Sequence, residues 1–196
     1  MAALSIEIRS ATPNEMPQGV SCIVAAFITD PIGRFAWPSP HDYLRFGPAA
    51  TRAFAGAVFE HGTAYVSEDF CGAALWLPLG VHPDGEAGER LFRDTARREH
   101  LDDLLRTFEE MDASHPPQPH WYLPMIGVEP NAQGRGLGAA LMRHALTRCD
   151  RDGLPAYLES SNPRNLSLYQ RHGFERLGEI QVGRGPLVTP MLRRPR

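Results

Sequence analysis

The sequence predicts a mixed α/β fold built as one domain, residues 1–196, and three observations predict it. Short apolar or alternating stretches are interleaved with longer amphipathic ones, in the order strand, helices, two hairpin strands, helix, strand, helix, strand, helix, two strands. A glycine-dense turn, Gln133-Gly134-Arg135-Gly136-Leu137-Gly138-Ala139, stands between a strand and a helix. A chain of 196 residues that is 42% hydrophobic and 22% charged suffices for one buried core and is short for two. No internal repeat, low-complexity segment or interdomain linker interrupts it.

Taken in order, Leu4 to Arg9 alternates apolar and polar residues and reads as a half-buried strand. Thr12, Pro13 and Glu15 form a capping-box pattern for a helix running to about Phe27, stopped before Asp30-Pro31. An aromatic and proline-rich loop follows. Residues 42 to 60 then read as helix, with Leu44, Phe54, Val58 and Phe59 as core. Thr63 to Ser67 and Cys71 to Leu77 read as a hairpin, and Glu86 to Met111 as amphipathic helix with a charged, solvated face. Beyond the loop Pro116 to Pro119, Trp121 to Val128 reads as a buried strand, and Gly134 opens a helix to about Arg151. Leu154 to Ser160 is the next strand, Asn165 to His172 a short helix, and two strands flank Gly183 to Pro186.

Composition removes several function classes. The net charge of −3 argues against a nucleic-acid coat or a binder of anionic membranes. All 20 basic residues are arginine, so neither a Schiff-base lysine nor a Walker lysine exists. Cys22, Cys71 and Cys149 are odd in number and widely spaced, which indicates neither a disulfide framework nor a metal site. The first ten residues lack a basic-then-apolar leader, and no apolar run approaches the roughly 20 residues of a membrane span, so a cytoplasmic location is expected.

The glycine turn is where chemistry becomes legible. Backbone N–H groups at a helix start, with no side chains in the way, favour a phosphate. Gly134-x-Gly136-x-x-Ala139 also satisfies the dinucleotide fingerprint, with Glu159 about twenty residues on. Against that reading, Glu129 to Gln133 separate strand from glycine, and only 37 residues follow Glu159, too few for a doubly wound sheet.

Two segments carry a resemblance. Gln133-x-x-Gly136-x-Gly138, preceded by Ile126-Gly127-Val128-Glu129-Pro130, resembles motif A of the GNAT N-acetyltransferases, and Asn162 to Phe174 resembles their motif B. Within that family, Tyr157 to Ser161, Pro163 to Leu166, Ala25-Ala26-Phe27 and Gly185-Pro186 are similar to the puromycin N-acetyltransferase-like group. The likeness is strong over residues 120 to 195 and faint before them. It implies a central, mostly antiparallel sheet with splayed middle strands flanked by helices, and acetyl-CoA as co-substrate.

The resemblance also implies roles. Backbone groups of Ile126, Gly127 and Val128 would pair with the pantetheine arm. N–H groups of Gly134, Arg135, Gly136, Leu137, Gly138 and Ala139 would hold the pyrophosphate, Gln133 would contact phosphate or cap the turn, and Asn162 and Asn165 would help hold coenzyme A; position 165 departs from the small residue common in the family, which leaves open which asparagine binds. Tyr169 matches the general acid. Glu159, at a strand end facing the acceptor, is the candidate base, with His120, Glu129 or a water chain as alternatives. Phe35, Trp37, Phe46 and Trp121 are candidates to wall an acceptor pocket, and Asp30 to add negative charge. The expected partner is a small-molecule amine, with no nucleic acid, membrane or metal; the sequence admits a homodimer. A catalytically silent coenzyme A-binding protein of the same fold is the competing reading.

Overall fold

A computed structural model describes residues 6–196. Leu4 and Ser5 of the first expected strand lie outside the described residues. The strands are β1 (Ile8–Ser10), β2 (Ala64–Ser67), β3 (Gly72–Leu77), β4 (Trp121–Val128), β5 (Ala156–Ser160), β6 (Glu175–Arg176) and β7 (Thr189–Arg193). They form one sheet in the order β1-β2-β3-β4-β5-β7-β6, antiparallel throughout except between β4 and β5. That topology removes the dinucleotide reading, which needs a parallel, doubly wound sheet.

The helices are α1 (Met16–Ala26), α2 (Pro31–Ala36), α3 (Pro40–Ala55), α4 (Gly85–Thr95), α5 (Leu101–Ala113), α6 (Leu137–Arg151) and α7 (Leu166–Arg171). One face of the sheet packs on α6 and α7 through Leu141, Met142, Leu146, Leu158 and Tyr169. On the other, Ile23 of α1 joins Val66 and Leu75, and a further cluster of Val24, Trp37, Tyr43, Phe92 and Leu104 ties α1 to α3, α4 and α5. Gly127 permits this docking, because a Cβ there would stand 2.4 Å from the Ala26 Cβ.

Several expectations are corrected. Asp30-Pro31 starts a helix instead of only ending one: Asp30 accepts from the Ile32 and Gly33 N–H groups at 2.9 and 3.1 Å, and Pro31 occupies the first helical position. Leu44 is 51% exposed, so it is not core, whereas Val58 and Phe59 are fully buried. The charged segment is two helices, α4 and α5, because Ala96 turns extended (φ −70°, ψ 156°). Before Gly183 the expected strand is present as the two-residue β6, with an isolated bridge, Ile180 to Val188, nearer the turn. Glu15 closes back on Thr12 as anticipated, accepting from its N–H at 2.8 Å, although the first turn is 3-10.

Candidate active site

β4 and β5 separate at their C-terminal ends. They pair only at Trp121 with Ala156 and Tyr122 with Tyr157. A bulge in β4 follows immediately: Leu77 pairs with Tyr122 and Leu75 with Met125, so three steps of β4 face two of β3. Pro124, which has no N–H to give a ladder, sits in that bulge. Past it, the Glu129 N–H donates to the Cys71 carbonyl at 2.8 Å. The antiparallel alternation then turns Met125 and Gly127 toward β3, and the polar groups of Ile126 and Val128 toward the open edge. The backbone of Gly127 is thus committed to the sheet, and its missing side chain serves α1.

At the end of that edge, Gln133 donates from Nε2 to the Val128 carbonyl at 3.0 Å, so its side chain braces the turn. Gly134 and Gly136 take φ of 75° and 88°, the left-handed region, with nothing within 4 Å of a Cβ at Gly134. Gly136 caps α6, whose first N–H groups, from Leu137 to Ala139, have no helical acceptor. This concave, side-chain-free row of donors fits a pyrophosphate, and the unpaired edge of β4 fits an amide-bearing arm. Arg135 is exposed and, with Ala139, lies outside the cavity lining.

Between the strands lies a cavity of about 410 Å³, whose lining includes Gly134, Gly136, Gly138, Glu159, Asn165 and Tyr169. Asn162 and Asn165 both reach it, with different commitments. Asn162 accepts from the Arg164 N–H at 3.1 Å, capping the short turn Pro163–Asn165, while Asn165 makes no capping bond and is exposed. Tyr169 is 5% exposed, sets its ring edge-on to Phe174 at 6.2 Å, and makes no side-chain hydrogen bond among the described residues. Burial, with the Asp30 charge adding to it, holds its phenol above the usual range and therefore protonated.

The side chain of Glu159 is 1% exposed, and Oε1 has no hydrogen-bond donor among the described residues. His115 Nε2 lies 3.3 Å away but out of line for a hydrogen bond. Neither His120 nor Glu129 lines the cavity.

The acceptor wall differs from the sequence expectation. Trp37 lines the cavity, but Phe35 stacks on His100 at 4.1 Å elsewhere, Phe46 packs behind Trp37 at 6.0 Å, and Trp121 lies in the opposite core, donating to Asp152 at 3.2 Å. Tyr43, Phe54, Phe92 and Phe108 complete the wall. Their apolar positions were readable as helix faces, but their convergence on a cavity was not. Asp30 lines the cavity as expected, but it is buried and held by its helix and by the Ser161 hydroxyl. Burial raises its carboxyl.

The sheet, the splay and the glycine turn define a class of α/β domain with a cavity between two parallel strands and a side-chain-free row of N–H groups at its edge. Residues 104–174 match the Acetyltransferase (GNAT) family. An uncharacterized N-acetyltransferase of Schizosaccharomyces pombe is 27% identical over all of this chain and 84% of its own. The structure is similar to that of a histone acetyltransferase HPA2 and related acetyltransferase from Corynebacterium glutamicum, with a TM-score of 0.69 and 27% identity over 98% of both chains. An agmatine N-acetyltransferase shares the fold at a TM-score of 0.69 and 14% identity, over 97% of this chain and all of that one. The chain is therefore similar to GNAT acetyltransferases, in sequence over residues 104–174 and in fold over nearly its whole length. Among the described residues, no helix is long and apolar enough to cross a membrane.

Proposed function

We propose that residues 1–196 are a single N-acetyltransferase domain that moves an acetyl group from acetyl-CoA to the amine of a small molecule by direct attack. The observation that carries this reading is the cavity at the splay, where Glu159, Tyr169, Gly134, Gly136 and Gly138 share one lining. The glycine turn binds the anionic end of the donor through its N–H groups, with Gln133 and Asn165 at its borders. Ile126 and Val128 orient the arm along the β4 edge. Acetyl-CoA supplies a thioester carbonyl and a thiolate leaving group.

Glu159 removes the proton that an ammonium must lose before it can attack. Tyr169, held protonated by burial, donates its hydroxyl proton to the leaving sulfur. The surrounding aromatic wall excludes water, and the carboxylates of Asp30 and Glu159 favour a cationic acceptor with an apolar body. Agmatine N-acetyltransferase, of the same fold, names a small amine as its acceptor.

Calorimetry with acetyl-CoA, using NAD as the competing ligand, tests the binding half of this reading. Micromolar acetyl-CoA binding without an NAD signal supports it, and an absence of acetyl-CoA binding overturns it. Thiol release across an amine panel, beginning with puromycin, tests transfer. Binding without transfer to any amine would favour the silent coenzyme A-binding protein.

A further inference from the structure

Beside Glu159, two histidines that do not line the cavity form a line to the surface. His115, just past α5, presents Nε2 3.3 Å from Glu159 Oε1. Its Nδ1 lies 3.0 Å from His120 Nε2, and His120 Nδ1 lies 2.8 Å from the Gln118 carbonyl. The Glu159 side chain is closed off, while that of His115 is 26% exposed.

The acceptors fix the protons. A carbonyl only accepts, so His120 carries its proton on Nδ1. Burial lowers the His120 imidazole's proton affinity and keeps it neutral, so its Nε2 is a bare acceptor. The proton between the rings is then on His115 Nδ1. In a neutral His115 this leaves Nε2 unprotonated, 3.3 Å from a buried carboxylate oxygen that has no in-line hydrogen-bond donor among the described residues. Two acceptors at this distance repel, and a proton brought between them by a small turn of the ring relieves that repulsion. We infer that Glu159 and His115 accept the substrate proton as one dyad, with His120 and the Gln118 carbonyl as the positioning groups that hold His115 in its Nδ1–H tautomer.

This inference rests on the reading of Glu159 as the base. The step balances: the acceptor ammonium loses one proton to become a neutral amine, and the dyad, carboxylate plus neutral imidazole, gains that proton. The other groups facing the dyad do not compete for it. Tyr122 from β4 and Tyr157 from β5 each set their rings 4.5 Å from His115, and burial, with the adjacent Glu159 carboxylate, holds both phenols well above the usual range, so they face Glu159 as neutral hydroxyl donors and not as bases. Asp112 of α5 and His82 of the loop after β3 act only through longer-range charge on Tyr122 and His120. The partial exposure of His115 lets the dyad return its proton to water between turnovers.

The test is long-range proton–nitrogen NMR on the full chain, with labelled histidine and labelled glutamate side-chain carbons, from pH 5 to 9. The expected result is His115 as the Nδ1–H tautomer, with its Nε2 and the Glu159 carboxyl carbon titrating together in one step. Glu159→Gln abolishes that joint step, and His120→Asn gives a mixed His115 tautomer. An Nε2–H tautomer in the unmodified protein, or two independent titrations, overturns the inference without needing either variant to fold. Acetyl-CoA calorimetry on the same sample separates the two claims: lost binding removes the proposed function, while the histidine spectra decide the dyad.

Discussion

The Asp30 carboxylate accepts a hydrogen bond from the Ser161 hydroxyl, joining residues 131 apart in sequence that both line the cavity. The same carboxylate caps α2, so one buried group fixes both the acceptor wall and the start of the segment that carries Tyr169. Asp30→Ala should cost about 1–3 kcal/mol in urea denaturation, by loss of the cap and the buried hydrogen bond. A change within about 0.5 kcal/mol would show that the contact contributes little.

Tyr169→Phe removes only a hydroxyl from a packed ring. Turnover should fall about 10²- to 10⁴-fold, as general-acid loss does, with acetyl-CoA affinity nearly unchanged. Equal loss in calorimetry and in thiol release would make Tyr169 a binding residue.

Glu159→Gln keeps the volume and removes the proton acceptor. At neutral pH turnover should drop about 10²-fold or more, and recover toward alkaline pH, where the free amine is present without a base. Unchanged activity across the pH range would sink the assignment.

Gly136→Ala places a Cβ at a φ of 88°. The strained backbone should cost about 1–2 kcal/mol and re-aim the N–H groups at the α6 start, weakening acetyl-CoA binding more than stability. Calorimetry beside thermal unfolding separates these effects.

Arg193 is 4% exposed and donates to both carboxylate oxygens of Asp150 at 2.7 and 2.8 Å. Asp150→Ala leaves that guanidinium buried and unpaired and should destabilise by about 3–5 kcal/mol. The Arg193 bonds also hold the Asp150 carboxyl below its usual value. Its stabilisation is therefore complete above the ordinary carboxylate range and fades as pH falls through that lowered value, which acid unfolding of the variant and parent would reveal.

Local signals made much of the fold readable. The strand at Trp121 to Val128 and the hairpin were marked by apolar runs with clear punctuation, and the glycine turn by residue types that only a left-handed backbone and close anion approach require. Asp30-Pro31 was equally visible but ambiguous, because the residues that stop one helix are those that cap the next. Glu159 was legible as a strand-end carboxylate. What surrounds it was not, since His115, Tyr122 and Tyr157 come from a helix end and two different strands.

By itself the sequence determined the order of the strands, the glycine turn and the residues able to donate or accept a proton, because each rests on neighbours within a turn or a strand. Only the tertiary structure decided which of them meet. The bulge at Pro124 parts β4 from β5, commits the backbone of Gly127 to β3 while turning Ile126 and the Val128 N–H to the open edge, and opens the cavity. Packing of α1 to α5 sends Phe54, Phe92 and Phe108 to its wall and leaves Phe35 and Trp121 outside. Such choices depend on contacts between distant segments, whose geometry no local pattern encodes.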